Sequence, residues 1–371
     1  MSVFSSRLLR VSIATLLGIS LAACGSSSTA GKTSASSETL NTAFPVPSGG
    51  ELHVYNWTDY LDSNEISRFE SETGIKVILD VFDSNETMLA KMQSGATGYD
   101  VIFPSDYMIA QMRELNLLQN VDVASFPNSV NIKPEMMNVY WDPGRKYTAP
   151  YMEGTTGIIC DPVDPECARI KSWHDYFTST SPKIGALKDQ VEVVSAALRA
   201  VGVKATDLCT TDRAQYVKAQ NLLNSFKPSI VESDGGLERL INGTNTVLQI
   251  WNGEAHRARS KKPDLTYIYP SDGVNQWADN MAIPVGAPDL DNAKIFINWL
   301  MDPKNIAAES NYTGYDNGIT GSDAFMNADV KNDPAVVPPA DVMGRITPTP
   351  NCSQDVRDLY TQVFTTWTSQ L

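Results

Sequence analysis

Carboxylates and large aromatic residues fall together at several points of this chain, and that pairing is its first sign of chemistry. Trp57 and Tyr60 enclose Thr58 and Asp59, and Ser105 and Tyr107 bracket Asp106. Asp189 and Glu192 are three apart where a helical pattern starts, on neighbouring positions of one face. Trp251 closes an apolar run, Trp277 and Asp279 are spaced to share one face of a strand, and Tyr312 and Tyr315 precede a Gly-rich turn. Aromatic faces attract cations, and carboxylates accept short, charge-assisted hydrogen bonds from them. Each residue also has an ordinary explanation. Asp189 and Glu192 complement a helix macrodipole, Trp251 and Trp277 fill cores, Tyr107 packs a helix start, and Asp59 sits in a turn. Repetition at strand-to-helix junctions is what points to a cleft, because α/β ligands bind at strand ends.

Catalytic constellations are missing from the sequence. His53, His174 and His256 are scattered and read as surface or packing residues. No GxSxG, P-loop, GxGxxG or HExxH pattern occurs. Asp80 and Asp83 suit acid–base work, but a solvated strand end explains them equally well. A hydrolase would need a nucleophile with its base, and none is visible. The expectation is a non-enzyme without metal or cofactor.

The formal charge of −14 argues against nucleic acid, whose phosphates require Lys/Arg stripes. It suits a cationic partner, since a negative field steers cations, although acidity also serves the solubility of exported proteins. Arg7 and Arg10 precede an apolar run, Val11 to Ala23, too short to cross a bilayer. The run ends in Leu21-Ala22-Ala23-Cys24-Gly25, which resembles a bacterial lipobox. The resemblance implies cleavage before Cys24 and lipidation there. An ordinary signal peptide cut after Ala23 is the alternative. Residues 24–50 are rich in Ser, Thr, Gly and Ala and read as a flexible tether. Cys160, Cys167, Cys209 and Cys352 remain, an even set in an exported chain, with three possible connectivities. Cys160–Cys167 would close the turn Asp161-Pro162-Val163-Asp164-Pro165, leaving Cys209–Cys352 by elimination.

The elements that must position these residues alternate. Leu52–Tyr55, Ile75–Phe82 and Tyr99–Phe103 read as strands. Helices between and after them carry Ile66 and Phe69, then Met88, Leu89 and Met92, then Ile109, Met112 and Leu115. Gly74 and Gly95 are the stops. The pattern restarts with extended runs at Thr156–Cys160, Thr246–Trp251 and Met281–Val285. Helical stripes follow at Val191–Val201, at Ile295, Phe296, Trp299 and Leu300, and from Val356 to Trp367. This order predicts an α/β protein with two units, each a mostly parallel sheet flanked by helices.

Tyr55-Asn56-Trp57-Thr58-Asp59-Tyr60, Glu72-Thr73-Gly74-Ile75-Lys76-Val77, Ser84-Asn85-Glu86-Thr87-Met88 and Tyr99-Asp100-Val101-Ile102-Phe103-Pro104-Ser105 resemble the N-terminal half of bacterial spermidine/putrescine-binding proteins. Ile250-Trp251-Asn252-Gly253 and Trp277-Ala278-Asp279-Asn280-Met281-Ala282-Ile283-Pro284 continue the resemblance in the same order. The resemblance implies a two-lobe, type II periplasmic-binding-protein fold with two hinge crossings. Lobe 1 is expected at 51–154 plus 279–323, and lobe 2 at 155–278 plus 324–371. It implies a fully enclosed polyamine delivered to ABC permease subunits; with the lipobox, the expectation is a monomeric, extracytoplasmic protein anchored to the membrane through Cys24. By the same resemblance Trp57, Tyr60, Trp251, Trp277 and Tyr315 would wall the methylene chain. Asp189, Glu192 and Asp279 would take one ammonium, and Thr58, Asp59, Ser105 and Tyr107 would serve the other end. The family's C-terminal glutamine has no secure counterpart; Gln354 is the nearest in sequence. Another cation, thiamine or ferric iron, and a polyamine sensor without transport remain alternative readings.

Overall fold

A computed structural model describes residues 43–95 and 98–371. The signal peptide, Cys24 and most of the tether lie outside the described residues. The first unit comprises β1 (Gly50–Trp57), α1 (Ser63–Thr73), β2 (Ile75–Phe82), α2 (Asn85–Gln93), β3 (Val101–Ile102) and α3 (Asp106–Glu114). Then come α4 (Pro134–Met137), β4 (Asn138–Val139), β5 (Asp142–Pro143) and the long β6 (Thr148–Cys160). The second unit runs through α5 (Trp173–Phe177), β7 (Ile184–Ala186), α6 (Gln190–Ala200), α7 (Arg213–Ser225), β8 (Ile230–Val231), α8 (Gly236–Asn242), β9 (Val247–Trp251) and α9 (Asn252–Lys261). The chain continues with β10 (Thr266–Ile268), β11 (Val274–Ala282), α10 (Leu290–Leu300), α11 (Pro303–Thr313), β12 (Asp316–Asn317), α12 (Ala328–Lys331), β13 (Ile346–Pro348) and α13 (Gln354–Thr368).

Strand order is β2-β1-β3-β11-β6-β9-β7-β8. Within β2-β1-β3 and within β9-β7-β8 the pairing is parallel, as alternation with helices requires. β6 and β11 pair antiparallel with one another, β11 antiparallel with β3 and β6 with β9, while β13 joins β11 in parallel. The two halves of β6 have different partners: Thr148–Thr155 lies against β11, and Thr156–Cys160 against β9. Two large apolar cores follow this division. Apart from Val191, the buried members of one come from 52–152 and 277–319, and those of the other from 158–274 and 352–367. Trp277 and Ala278 belong to the first core.

Local signals explain the helix ends. Asp62 caps α1 by accepting from the Asn64 amide, and Gly74 closes it at φ 73°, a left-handed value that glycine adopts without steric cost. α6 buries Val193, Val194, Ala197 and Leu198, and α13 buries Val356, Leu359, Tyr360, Val363 and Trp367.

Three sequence expectations need correction. The strand expected at Met281–Val285 is β11, and it ends at Ala282. β11 buries Asn275, Asp279 and Asn280, so its polar composition hid it from an apolar count. Leu115 follows the last turn of α3 and is 48 % exposed, so it does not share the buried face of Ile109 and Met112. Phe44, inside the stretch expected to be flexible at 24–50, packs edge-on against Phe126 at 5.1 Å and joins the first core.

The structure joins Cys160 to Cys167 and Cys209 to Cys352, with Cα atoms 5.6 and 5.1 Å apart. The second bond ties α13 and the segment before it to the loop ahead of α7. None of the described helices is long and apolar enough to cross a membrane.

Candidate functional site

The C-terminal ends of β1, β3 and β9 converge on a cavity. All twelve candidate ligand residues line it: Trp57, Thr58, Asp59, Tyr60, Ser105, Tyr107, Asp189, Glu192, Trp251, Trp277, Asp279 and Tyr315. β1 delivers Trp57, whose indole N–H donates to the Phe103 carbonyl at 2.9 Å and whose ring lies 6.2 Å from that of Trp251. The chain then turns sharply through Asp59 at φ 51°, which sets Tyr60 facing the cavity. Tyr60 and Trp277 both stand edge-on to Tyr315, at 5.7 and 5.0 Å. Two glycines make this aromatic wall possible. A Cβ on Gly154 would lie 2.5 Å from the Trp277 ring, and one on Gly253 would lie 2.5 Å from Tyr315.

Asp279 is the polar centre of the site. A register shift in β11 between Ala278 and Asn280 accommodates it, and it bridges to Ser105 at the end of the neighbouring strand. Its two carboxylate oxygens accept from Ser105 Oγ at 2.6 Å and from Tyr60 Oη at 2.8 Å. Ser105 in turn accepts from Asn85 Nδ2 at 2.9 Å, and the same amide donates to Tyr107 Oη at 3.1 Å. Burial pushes the Asp279 carboxyl up to about 7 against the pull of these hydrogen bonds, and the charge of Asp189 adds to the rise.

Asp189 caps α6, accepting from the Val191 and Glu192 amides at 2.9 and 3.0 Å. Its helix-capping and cavity-lining positions are therefore the same. Glu192 accepts from Asn275 Nδ2 at 3.2 Å, and burial together with the Asp189 charge lifts its carboxyl to about 8.

A second acidic group was not read from the sequence. Asp234 accepts from Thr58 Oγ1 at 3.4 Å, and Glu254 accepts from the Leu237 amide at 2.9 Å. Burial raises both carboxyls, Glu254 to about 7, and the charge of Asp59 adds to the rise at Asp234. Asp234 lies in a Ser-Asp-Gly-Gly turn that reads as an ordinary loop. Glu254 lies in a charged helix that reads as a solvated face, yet it is buried, with Gly236 against its carboxylate. Arg257, Ser233, Gly235 and Thr349 also line the cavity. Gln354 does not. It borders a different cavity and donates to Asp358, while Thr349, fixed by the Gln276 carbonyl, reaches the first. Among the described residues, six carboxylates line the cavity against one basic side chain, Arg257. Such a lining attracts cations, and its rings cover hydrocarbon.

The remaining candidates lie elsewhere. His256 pairs with Asp333 at 2.7 Å outside the cavity, and Asp80 accepts from Tyr99 Oη at 2.7 Å. Among the described residues no group of three His, Cys, Asp or Glu side chains is arranged to hold a metal ion.

Residues 66–339 match the family described as bacterial extracellular solute-binding protein. The chain belongs to this family. Within it, this solute-binding protein is 32 % identical over 300 residues to the spermidine/putrescine-binding periplasmic protein of Salmonella typhimurium, covering 79 % of this chain and 85 % of the relative. It is 30 % identical to the putrescine-binding periplasmic protein SpuD of Pseudomonas aeruginosa over 336 residues, 85 % of this chain and 90 % of that one. Among solved structures, a putative spermidine/putrescine ABC transporter from Listeria monocytogenes superimposes with a TM-score of 0.79 at 31 % identity, covering 86 % of this chain and 98 % of that one. This solute-binding protein has the two-lobe α/β fold of the type II periplasmic binding proteins.

Proposed function

We propose that this solute-binding protein captures a linear polyamine, spermidine or putrescine, outside the cytoplasm and delivers it to an ABC importer. The observation that carries this reading is the cavity lining, with six carboxylates in two groups and aromatic rings beside them. A buried ammonium without acceptors is very costly, so a ligand charged at both ends needs acids at both ends. Asp189, Glu192 and Asp279 would hold one ammonium, and Asp59 with Thr58, aided by Asp234 and Glu254, the other. Trp57, Tyr60, Trp251, Trp277 and Tyr315 would cover the methylenes. Each π face adds about 0.5–2 kcal/mol of cation attraction, depending on desolvation. Ser105 and Tyr107, expected at the other end, belong instead with the first in this reading: Ser105 would act through Asp279, to which it donates at 2.6 Å, and Tyr107 would close that end.

The lobes would hinge where β6 and β11 cross, with lobe 1 drawn from 51–154 and 279–323 and lobe 2 from 155–278 and 324–371. Ligand-driven closure would then present the closed form to the permease. Such a protein binds without turnover and works as a monomer. A lipid on Cys24, beyond a cleaved leader, would hold it at the membrane; Cys24→Ser would then move it from the membrane to the soluble fraction.

The test is a thermal-shift screen of purified protein against putrescine, spermidine, thiamine, ferric iron, amino acids and sugars, followed by calorimetry. A ligand at one hundred times its Kd stabilises by about 2.7 kcal/mol. Stabilisation by polyamines is expected. Stabilisation by thiamine, iron, an amino acid or a sugar alone would overturn the reading.

A further inference from the structure

The motif Ser84-Asn85-Glu86-Thr87-Met88 opens α2, and Glu86 lies outside the cavity that receives the ligand. It borders a second opening between α2, α3, α6 and α13. Tyr107 is the one described residue that lines both spaces, and it is only 6 % exposed. Asp189 faces the first space, while the next residue, Gln190, faces the second. The partition is therefore one side chain thick. Asn85 Nδ2 braces the ring by donating to Tyr107 Oη at 3.1 Å, and two further hydrogen bonds meet on a single atom. Glu86 Oε1 accepts from Tyr107 Oη at 3.3 Å and from Gln190 Nε2 at 3.1 Å. Three helix starts, those of α2, α3 and α6, supply the three side chains.

We propose that Glu86, Tyr107 and Gln190 form the end wall of the ligand cavity and set the length of the cation it accepts. This inference rests on the polyamine reading above. A ligand whose ammonium is held by Asp189, Glu192 and Asp279 cannot extend past Tyr107 while the ring is tethered to Glu86. Once the tether is released, the space behind the ring is chemically suited to a longer chain. Leu89, Met108 and Val191 would cover methylenes there, and Glu86 and Glu114 would receive a further ammonium. The wall thus excludes by shape a ligand that the chemistry behind it would accept.

The experiment measures Kd by calorimetry for a homologous series of linear α,ω-diamines, from putrescine upward, and for spermidine and spermine. It uses the mature protein and the variants Gln190→Ala, Glu86→Ala and Glu86→Gln. The native protein should lose affinity sharply beyond a limiting length. Gln190→Ala should improve the long members relative to the short by about tenfold. Glu86→Ala should do the same, whereas Glu86→Gln, which keeps the acceptor oxygen, should retain the native cut-off. A merely structural role would weaken all ligands together, leaving the long-to-short ratio within about twofold of native, and would overturn the wall while leaving the polyamine reading intact. A native protein that binds no member of the series would overturn both.

Discussion

Replacing Asp279 by Asn tests the centre of the site. The side chain keeps its volume in a position only 6 % exposed, so no cavity or overpacking follows. One amide oxygen can still accept from Ser105 or Tyr60, and the amide N–H can turn to the other oxygen. The fold therefore loses one charge-assisted bond but no longer buries a carboxyl lifted to about 7. Stability should move by no more than about 1 kcal/mol. Binding is different. Removing one partner of a buried charge pair costs about 2–5 kcal/mol. Asp189 and Glu192 share the same ammonium, so the loss should fall in the lower half of that range, roughly 30- to 300-fold in Kd. The proton balance sharpens the test. Ligand-free Asp279 is substantially protonated near neutrality, and an ammonium would favour its ionised form, so binding to the native protein releases a proton. Native affinity should rise as pH increases toward about 8, by up to about tenfold per pH unit for each proton released. The Asp279→Asn variant should flatten that slope by up to one proton, most below pH 7. Calorimetry in two buffers of different ionisation enthalpy measures both quantities, with thermal unfolding as the control. A variant that stays folded and binds putrescine and spermidine within about threefold of native, with an unchanged pH slope, would refute the placement of the ammonium.

Other outcomes follow from the same structure. The ligand-free protein should become more stable on mild acidification. Glu86, Glu192, Glu254 and Asp279 all have carboxyls lifted to about 7 or 8, so their contribution is complete below the ordinary carboxylate range and lost as pH rises through those values. Tm should therefore rise from pH 8 to pH 5, and a saturating polyamine should reduce or reverse that trend; scanning calorimetry with and without ligand checks it. Removing the Cys209–Cys352 bond, with its sequence separation of 143, should cost about 5 kcal/mol by loop entropy, against about 2.5 kcal/mol for Cys160–Cys167 with a separation of 7. Denaturant titration of the paired Ser variants orders the two. Thr349→Val should weaken binding by about 0.5–1.5 kcal/mol through a lost polar contact, whereas Gln354→Ala should leave Kd unchanged. The reverse result would restore Gln354 to the site.

What was legible in the sequence was whatever repeats locally. Ile75–Phe82, the helix stop at Gly74 and the stripe from Val356 to Trp367 are periodic signals, and a chain with those periods has little freedom to fold otherwise. The acidic–aromatic pairs at Trp57–Tyr60, Ser105–Tyr107, Asp189–Glu192 and Trp277–Asp279 were legible for a related reason. A site at strand ends is written into the few residues where each strand stops. The sequence also bounded the chemistry, through its charge and its want of a catalytic constellation. Tertiary structure alone decided the rest. β11 has no apolar alternation because it buries Asn275, Asp279 and Asn280, and burial of polar groups depends on partners far away in the chain. Glu254 and Asp234 read as helix surface and loop until Gly236 and Thr58 close over them. Gln354 was nearer in sequence to the expected contact, yet Thr349 occupies the cavity, because the β13 segment reaches the site before α13 begins. Glu86, Tyr107 and Gln190 make a wall only because three helices start at one place. Periodicity is local, whereas meeting is a property of the whole fold.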